Sequence, residues 1–164
     1  EWHCISGYGH APEHIALHSS QAGLLIGGDM MLPRISTNVS VYDQEPEANA
    51  LQLFLDSIDK FADLADDTLT LPAHCKPFRG LHTRIGQLHD HHRQHLARVM
   101  TACAESPKSA ADILPVLFSR ALDLHQKTFA MGEAIAHLHK LWYDAQLPRR
   151  LGEDGVLRFS PQDT

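Results

Sequence analysis

Gly9-His10-Ala11-Pro12-Glu13-His14, Gly28-Asp29 and Leu71-Pro72-Ala73-His74 are the three stretches whose reading decides this chain. Between the first two, Ile15 and Leu17 alternate with His14, Ala16 and His18, and Leu24-Leu25-Ile26 forms a short apolar run after Ser19-Ser20-Gln21-Ala22-Gly23. This pattern predicts a β-hairpin with one partly solvated and one more buried strand. The residue before the first strand and the residue after the second then emerge at the same end, which makes His10 and Asp29 neighbours in space. Thr68 to Leu71 is a strand candidate that Pro72 terminates, so His74 falls on a loop just past a strand. Such loops are where rigid folds hold their chemistry.

From Met30 to Gln44 no period is sustained, and Pro33, Ser36, Asn38 and Ser40 predict an ordered loop at that same end. Pro46 and Glu47 suit a helix first turn. Leu51, Phe54, Leu55, Ile58, Phe61, Ala62 and Ala65 then keep a helical period, predicting a helix over about 46–65. A long helix follows, with Leu81, Ile85, Leu88, His92, Leu96, Val99 and Cys103 on one face. Ser109 to Asp112 reads as a capping box opening a short helix that Pro115 limits. Met131, Ala134, Ile135, Leu138, Leu141, Trp142 and Ala145 mark another amphipathic helix. Leu147–Leu151 and Val156–Phe159, around Gly152 to Gly155, read as a two-stranded wing. Helix, helix, helix, hairpin is the order of a winged-helix module.

At 164 residues, 43% hydrophobic and 21% charged, the chain suits one ordinary domain or a partial domain plus a small one. No apolar run approaches the roughly 18 to 20 residues of a membrane span and no signal peptide opens the chain, so a cytoplasmic protein with no membrane partner is expected. Glu1 is not preceded by an initiator Met, and Trp2 to Ser6 reads as domain interior; a trimmed chain or fragment is expected. Cys4, Cys75 and Cys103 are odd in number and lack C-x-x-C spacing, which predicts reduced thiols. The net charge of −6 argues against a strong nucleic-acid footprint, and it is unevenly spread: residues 1–89 carry 5 basic and 11 acidic side chains, residues 90–164 carry 9 of each. Thirteen histidines are the unusual part of the composition.

Imidazole and carboxylate are the ligands zinc and related ions favour, and two-metal hydrolases hold their ions about 3.5 to 4 Å apart. An Asp between two His ligands suits such a pair, since each oxygen can face one ion. Gly9, Gly27 and Gly28 leave room for the backbone to turn tightly at the strand ends. Taken alone, His or Asp near a strand end is more often solvated or hydrogen-bonded than ligating.

The ordered series G-H-x-P-E-H, then G-G-D-x-x-L-P after a hairpin, then L-P-x-H-x-x-P-F after a helix and strand, resembles the C-terminal half of the metallo-β-lactamase-fold hydrolases. Leu88-His89-Asp90-His91-His92-Arg93 and the tail are similar to the branch carrying a β-lactamase-associated winged-helix domain. The resemblance implies an α+β (α/β) fold: the second half of an αββα sandwich over residues 1–80, then a linking helix and a winged-helix-like domain over 81–164. It implies His10 as a ligand of a first metal, Asp29 as the bridge and catalytic residue, and His74 as a ligand of the second metal. The metals would be two zinc ions in the intact enzyme, with manganese or iron as alternatives. The activity it implies is hydrolysis of an ester, thioester, lactone or phosphodiester in a small-molecule substrate, by metal-activated water. An H-x-H-x-D-H, which would supply the remaining ligands, occurs nowhere in these residues. Each ion keeps two protein ligands here, whereas catalytic zinc takes at least three. Weak or partial metal binding and no activity by this chain alone are therefore expected, together with self-association through an uncovered sheet.

His14 is read first as a hydrogen-bonded strand residue and second as a group that steadies a ligand. His91 and His95 have the i, i+4 spacing of a metal pair, but a packing role for the cluster His89, His91, His92 and His95 is favoured. His137 and His139 cannot share a helix face and are expected at the surface or an edge. Cys75 beside His74 is expected to be a small loop residue rather than a nucleophile. Arg149, Arg150 and Arg158 on the wing keep open an alternative, a nucleic-acid-binding module or nuclease component. A charge-neutral module with no basic helix face does not favour it.

Overall fold

A computed structural model of the chain describes residues 1–161. Its contacts divide it into two units, Glu1–Val39 with Gln52–His91, and Ser40–Leu51 with His92–Thr164. The division differs from a cut at residue 80. It passes through a continuous helix and assigns part of the loop after Val39 to the second unit.

The first unit is built on a four-stranded sheet in the order β1 (His3–Gly7), β2 (His14–Ser19), β3 (Leu24–Gly28), β4 (Leu69–Pro72). β1, β2 and β3 are antiparallel and β4 runs parallel to β3. The hairpin of β2 and β3 is the one expected, whereas β1 is a strand the pattern of Trp2 to Ser6 did not resolve. The Gly7↔His14 and Gly28↔Pro72 pairings place three loops at one end of the sheet: the β1–β2 loop and the chain leaving β3 and β4. Ala16 and Leu25 from the strands, Met30 to Leu32 from the following loop, and Phe54, Ile58, Phe61, Leu81, Ile85 and Leu88 from helices form its buried apolar set.

α1 spans Ala50–Asp59 and tightens into a 3-10 turn over Lys60–Asp63. It starts four residues after Pro46, and tertiary bonding explains the late start. The Glu47 carbonyl accepts from the Tyr143 hydroxyl at 2.6 Å and the Ala48 carbonyl accepts from His139 Nδ1 at 3.1 Å, so both are drawn toward partners distant in sequence where the ladder would begin.

α2 runs over Leu81–Glu105. In the second unit, α3 (Ala110–Leu117) opens on the expected capping box of Ser109 and Asp112 and ends two residues after Pro115. α4 (Leu124–Tyr143) opens on a second box, Asp123 with Gln126. β5 (Arg149–Leu151) and β6 (Leu157–Phe159) form the expected short antiparallel pair, with Arg150 opposite Arg158. The unit's core is Val99, Cys103, Ile113, Leu117, Ala134, Leu138, Leu141, Leu147 and Phe159. No helix among the described residues is long and apolar enough to cross a membrane.

Candidate metal centre

His10, Asp29 and His74 meet where the three loops emerge. Asp29 Oδ2 lies 3.7 Å from His10 Nε2, and Asp29 Oδ1 lies 3.4 Å from His74 Nε2. Each carboxylate oxygen thus faces a different imidazole. The backbone enforces this: Ala73 N–H donates to the Gly28 carbonyl at 3.0 Å, tying the loop of His74 to that of Asp29, and the Thr37 hydroxyl donates to the Asp29 carbonyl. Tyr8 N–H donates to Ser57 Oγ at 2.8 Å and Lys60 Nζ to the Ser6 carbonyl at 2.9 Å, which anchors both sides of the loop entry toward His10 on the α1 segment. Cys75, directly after His74, holds a left-handed backbone with φ 72°, a conformation costly for a side-chain-bearing residue and often found at working sites.

The donor set fits a metal. His10 Nδ1 lies 2.8 Å from the Asn38 carbonyl, which can only accept, so Nδ1 carries a proton and Nε2 is the ring nitrogen on the side of Asp29. Two ligand atoms bound to one tetrahedral zinc stand about 3.4 Å apart, and the two His–Asp separations are close to that value. His10, Asp29 and His74 could therefore hold metal.

His14 packs its ring against Gly28. A Cβ built at residue 28 would stand 2.4 Å from His14 Nε2, and Gly28 itself is left-handed at φ +54°. The glycine before Asp29 thus makes room for this imidazole. Burial, then the neighbouring His10, holds His14 below its ordinary pKa, with Asp29 acting in the opposite sense. His14 is the first residue of β2, in register with Gly7, and its Nδ1 is buried without a hydrogen-bond partner among the described residues.

Sequence reasoning missed Arg84. Its side chain is 9% exposed, and it donates from Nε to the Leu32 carbonyl at 2.5 Å and from Nη2 to the Ile35 carbonyl at 2.8 Å. The local sequence Thr83-Arg84-Ile85 carries no signal for this role. Arg84 clamps the loop that begins at Asp29.

In the second unit His137 and His139 are 0% and 3% exposed, which corrects the expectation that they lie at a surface or edge. They do lie on different faces of α4, but from Ala130 to Leu141 that helix is buried nearly all round. His137 Nδ1 donates to the Glu133 carbonyl at 2.8 Å, and its Nε2 stands 3.2 Å from His92 Nδ1. The His95 ring lies 5.5 Å from that of His137, tilted by 47°. Of the arginines on β5 and β6, Arg149 lies 3.6 Å above the Trp142 ring and pairs with Glu47, and Arg158 grips Asp154 at 2.7 and 2.9 Å. Both are engaged within the protein.

Residues 96–162 match the family model described as Metallo-beta-lactamase-like, C-terminal domain. The fold is similar to part of that of solved metallo-β-lactamase-fold proteins. Over 145 residues it is 26% identical to the Probable metallo-hydrolase YqjP of Bacillus subtilis (strain 168), covering 85% of this chain and 44% of that protein. A β-lactamase domain protein from Burkholderia ambifaria matches it in structure with TM-score 0.95 and 58% identity, over 98% of this chain and 48% of that one. A metallo-β-lactamase family protein from Thermus thermophilus matches with TM-score 0.84 and 28% identity, over 98% and 49% respectively. The chain thus spans about half the length of these relatives.

Proposed function

We propose that this chain is the C-terminal part of a metal-dependent hydrolase, and that His10, Asp29 and His74 are its share of a two-metal centre. The observation that carries the reading is the carboxylate of Asp29 presenting one oxygen to each imidazole, at 3.7 and 3.4 Å. In this reading His10 serves one ion, His74 the other, and Asp29 both. Asn38 fixes the His10 tautomer, and His14, kept neutral, fills the space beside the ligands without adding charge. Bound ions would supply Lewis-acid polarisation and a water made nucleophilic near neutral pH. Imidazole with carboxylate suits zinc, and manganese or iron as alternatives. The substrate is a small ester, thioester, lactone or phosphodiester.

Two ligands per ion make the 164 residues alone a weak, inactive half-site. Ile15 and Ile26, 48% and 40% exposed, lie on one face of the sheet, through which the isolated chain self-associates; a monomeric mass in dilute solution counts against that. The deciding experiment measures zinc content and ester or thioester hydrolysis of the intact protein beside this chain. The intact protein should hold about two zinc ions and turn over, and Asp29→Asn should lose both metal and activity. Stoichiometric zinc and full activity in Asp29→Asn would overturn the reading.

A further inference from the structure

The loops that carry Asp29 and His74 continue into the two walls of a cleft of about 460 Å³, lined by Pro33, Arg34, Cys75, Lys76, Pro77 and Phe78. Two cations line it and no carboxylate does. Residues 1–89 hold only five basic side chains against eleven acidic ones, so this pairing runs against the local charge balance. The other three cations are engaged: Lys60 with the Ser6 carbonyl, Arg79 with the Asp67 carbonyl, and Arg84 with those of Leu32 and Ile35. Among the described residues Arg34 and Lys76 make no hydrogen bond or ion pair.

Both walls are braced. The buried Arg84 grips the carbonyls on either side of Arg34, at Leu32 and Ile35. Opposite, Thr70 and Phe78 exchange backbone hydrogen bonds at 2.8 and 3.1 Å, fixing the short segment that carries Lys76. A planar guanidinium and a point ammonium, flanked by proline and phenylalanine that reduce local water, suit one anionic group.

We propose that this cleft binds an anionic oxygen group of the substrate, a carboxylate or a phosphate, through Arg34 and Lys76, and so directs the hydrolase toward anionic substrates. The substrate part of this inference rests on the metal-hydrolase reading; the anion site itself does not. The test titrates inorganic phosphate and, separately, glutarate into the chelator-treated intact protein by calorimetry, so that no metal competes for the anion. One of the two should bind, and Arg34→Gln or Lys76→Gln should each weaken it about tenfold. Arg79→Gln, whose charge lies outside the cleft, should leave binding unchanged. Preference for phosphate or glutarate identifies the group. No binding of either probe, or equal binding by all variants, overturns the anion site. With the zinc-loaded intact protein, the same substitutions should raise KM about tenfold for a thioester bearing a terminal carboxylate or phosphate and leave its neutral counterpart unchanged. Equal effects on both thioesters overturn the substrate assignment. Failure to hydrolyse any ester, with anion binding still dependent on Arg34 and Lys76, removes the hydrolase reading and with it the substrate assignment, while the anion site stands.

Discussion

Gly28→Ala isolates how the sheet end makes room for the site. The substitution does two things at once. It places a side chain on a left-handed backbone at φ +54°, which costs about 1–2 kcal/mol. It also puts a Cβ 2.4 Å from His14 Nε2 and 3.0 Å from Cε1, so the ring must move. Overpacking of this kind costs about 1–3 kcal/mol. The sum is about 2–5 kcal/mol, which at a urea m-value of about 2 kcal/mol/M lowers the unfolding midpoint by roughly 1–2.5 M. The assay is urea unfolding followed by circular dichroism, with chelator present so that metal binding does not mask the effect. A second variant separates the two causes. In a His14→Ala background the clash is gone, and Gly28→Ala should cost only the backbone part, about 1–2 kcal/mol, leaving a coupling of about 1–3 kcal/mol between the sites. A Gly28→Ala protein within about 0.5 kcal/mol of its parent, or an equal loss with and without His14, would refute the reasoning.

Arg84→Met should destabilise the protein by about 2–4 kcal/mol, because the carbonyls of Leu32 and Ile35 lose their donor inside the fold; urea unfolding measures this. Thiol labelling of the native protein should modify Cys4 and Cys75, which are exposed, and spare Cys103, which is buried with its pKa pushed up to about 11 until denaturant is added. Burial holds His139 below the ordinary imidazole value of 6.5; Arg149 adds to the shift, while the Ala48 carbonyl and Glu47 oppose it. The unfolded chain then binds a proton that the native state refuses. Stability is full above pH 6.5 and falls as the pH drops below it, so His139→Gln should flatten the acid side of a midpoint-against-pH curve.

The convergence of His10, Asp29 and His74 was legible because strand ends are local: a hairpin and one later strand fix where each loop emerges. What could not be read were features set by partners distant in sequence. Pro46 and Glu47 carry the local signature of a helix start, yet the carbonyls of Glu47 and Ala48 are taken by Tyr143 and His139, some ninety residues away. His137 and His139 are polar and on different faces, so periodicity exposes one of them, whereas α4 from Ala130 to Leu141 is enclosed on nearly every side and buries both. Nothing near Arg84 in sequence announces the two carbonyls it holds, which lie some fifty residues earlier. β1 carries His3, Cys4 and Ser6 among its five residues and has no clean alternation, and only its pairing with β2 defines it.

These contacts also separate geometry from affinity at the proposed centre. The ties that orient His10, Asp29 and His74 are the Asn38 and Gly28 carbonyls and the Thr37 hydroxyl, all within the first unit. Holding the His10 ring and the backbones of Asp29 and Ala73 in place therefore needs no tie outside these residues. Tight metal binding does, because affinity grows with the number of ligands and this chain offers two per ion. Substituting Asn38 cannot remove its carbonyl, so the His10 tautomer is robust to side-chain mutation there. Thr37→Val, by contrast, releases the Asp29 carbonyl. In the intact protein that change should weaken zinc binding about 10- to 100-fold, as loss of a group supporting a ligand does. Unchanged affinity in a chelator competition would show that Asp29 is oriented by its ions and not by the loop.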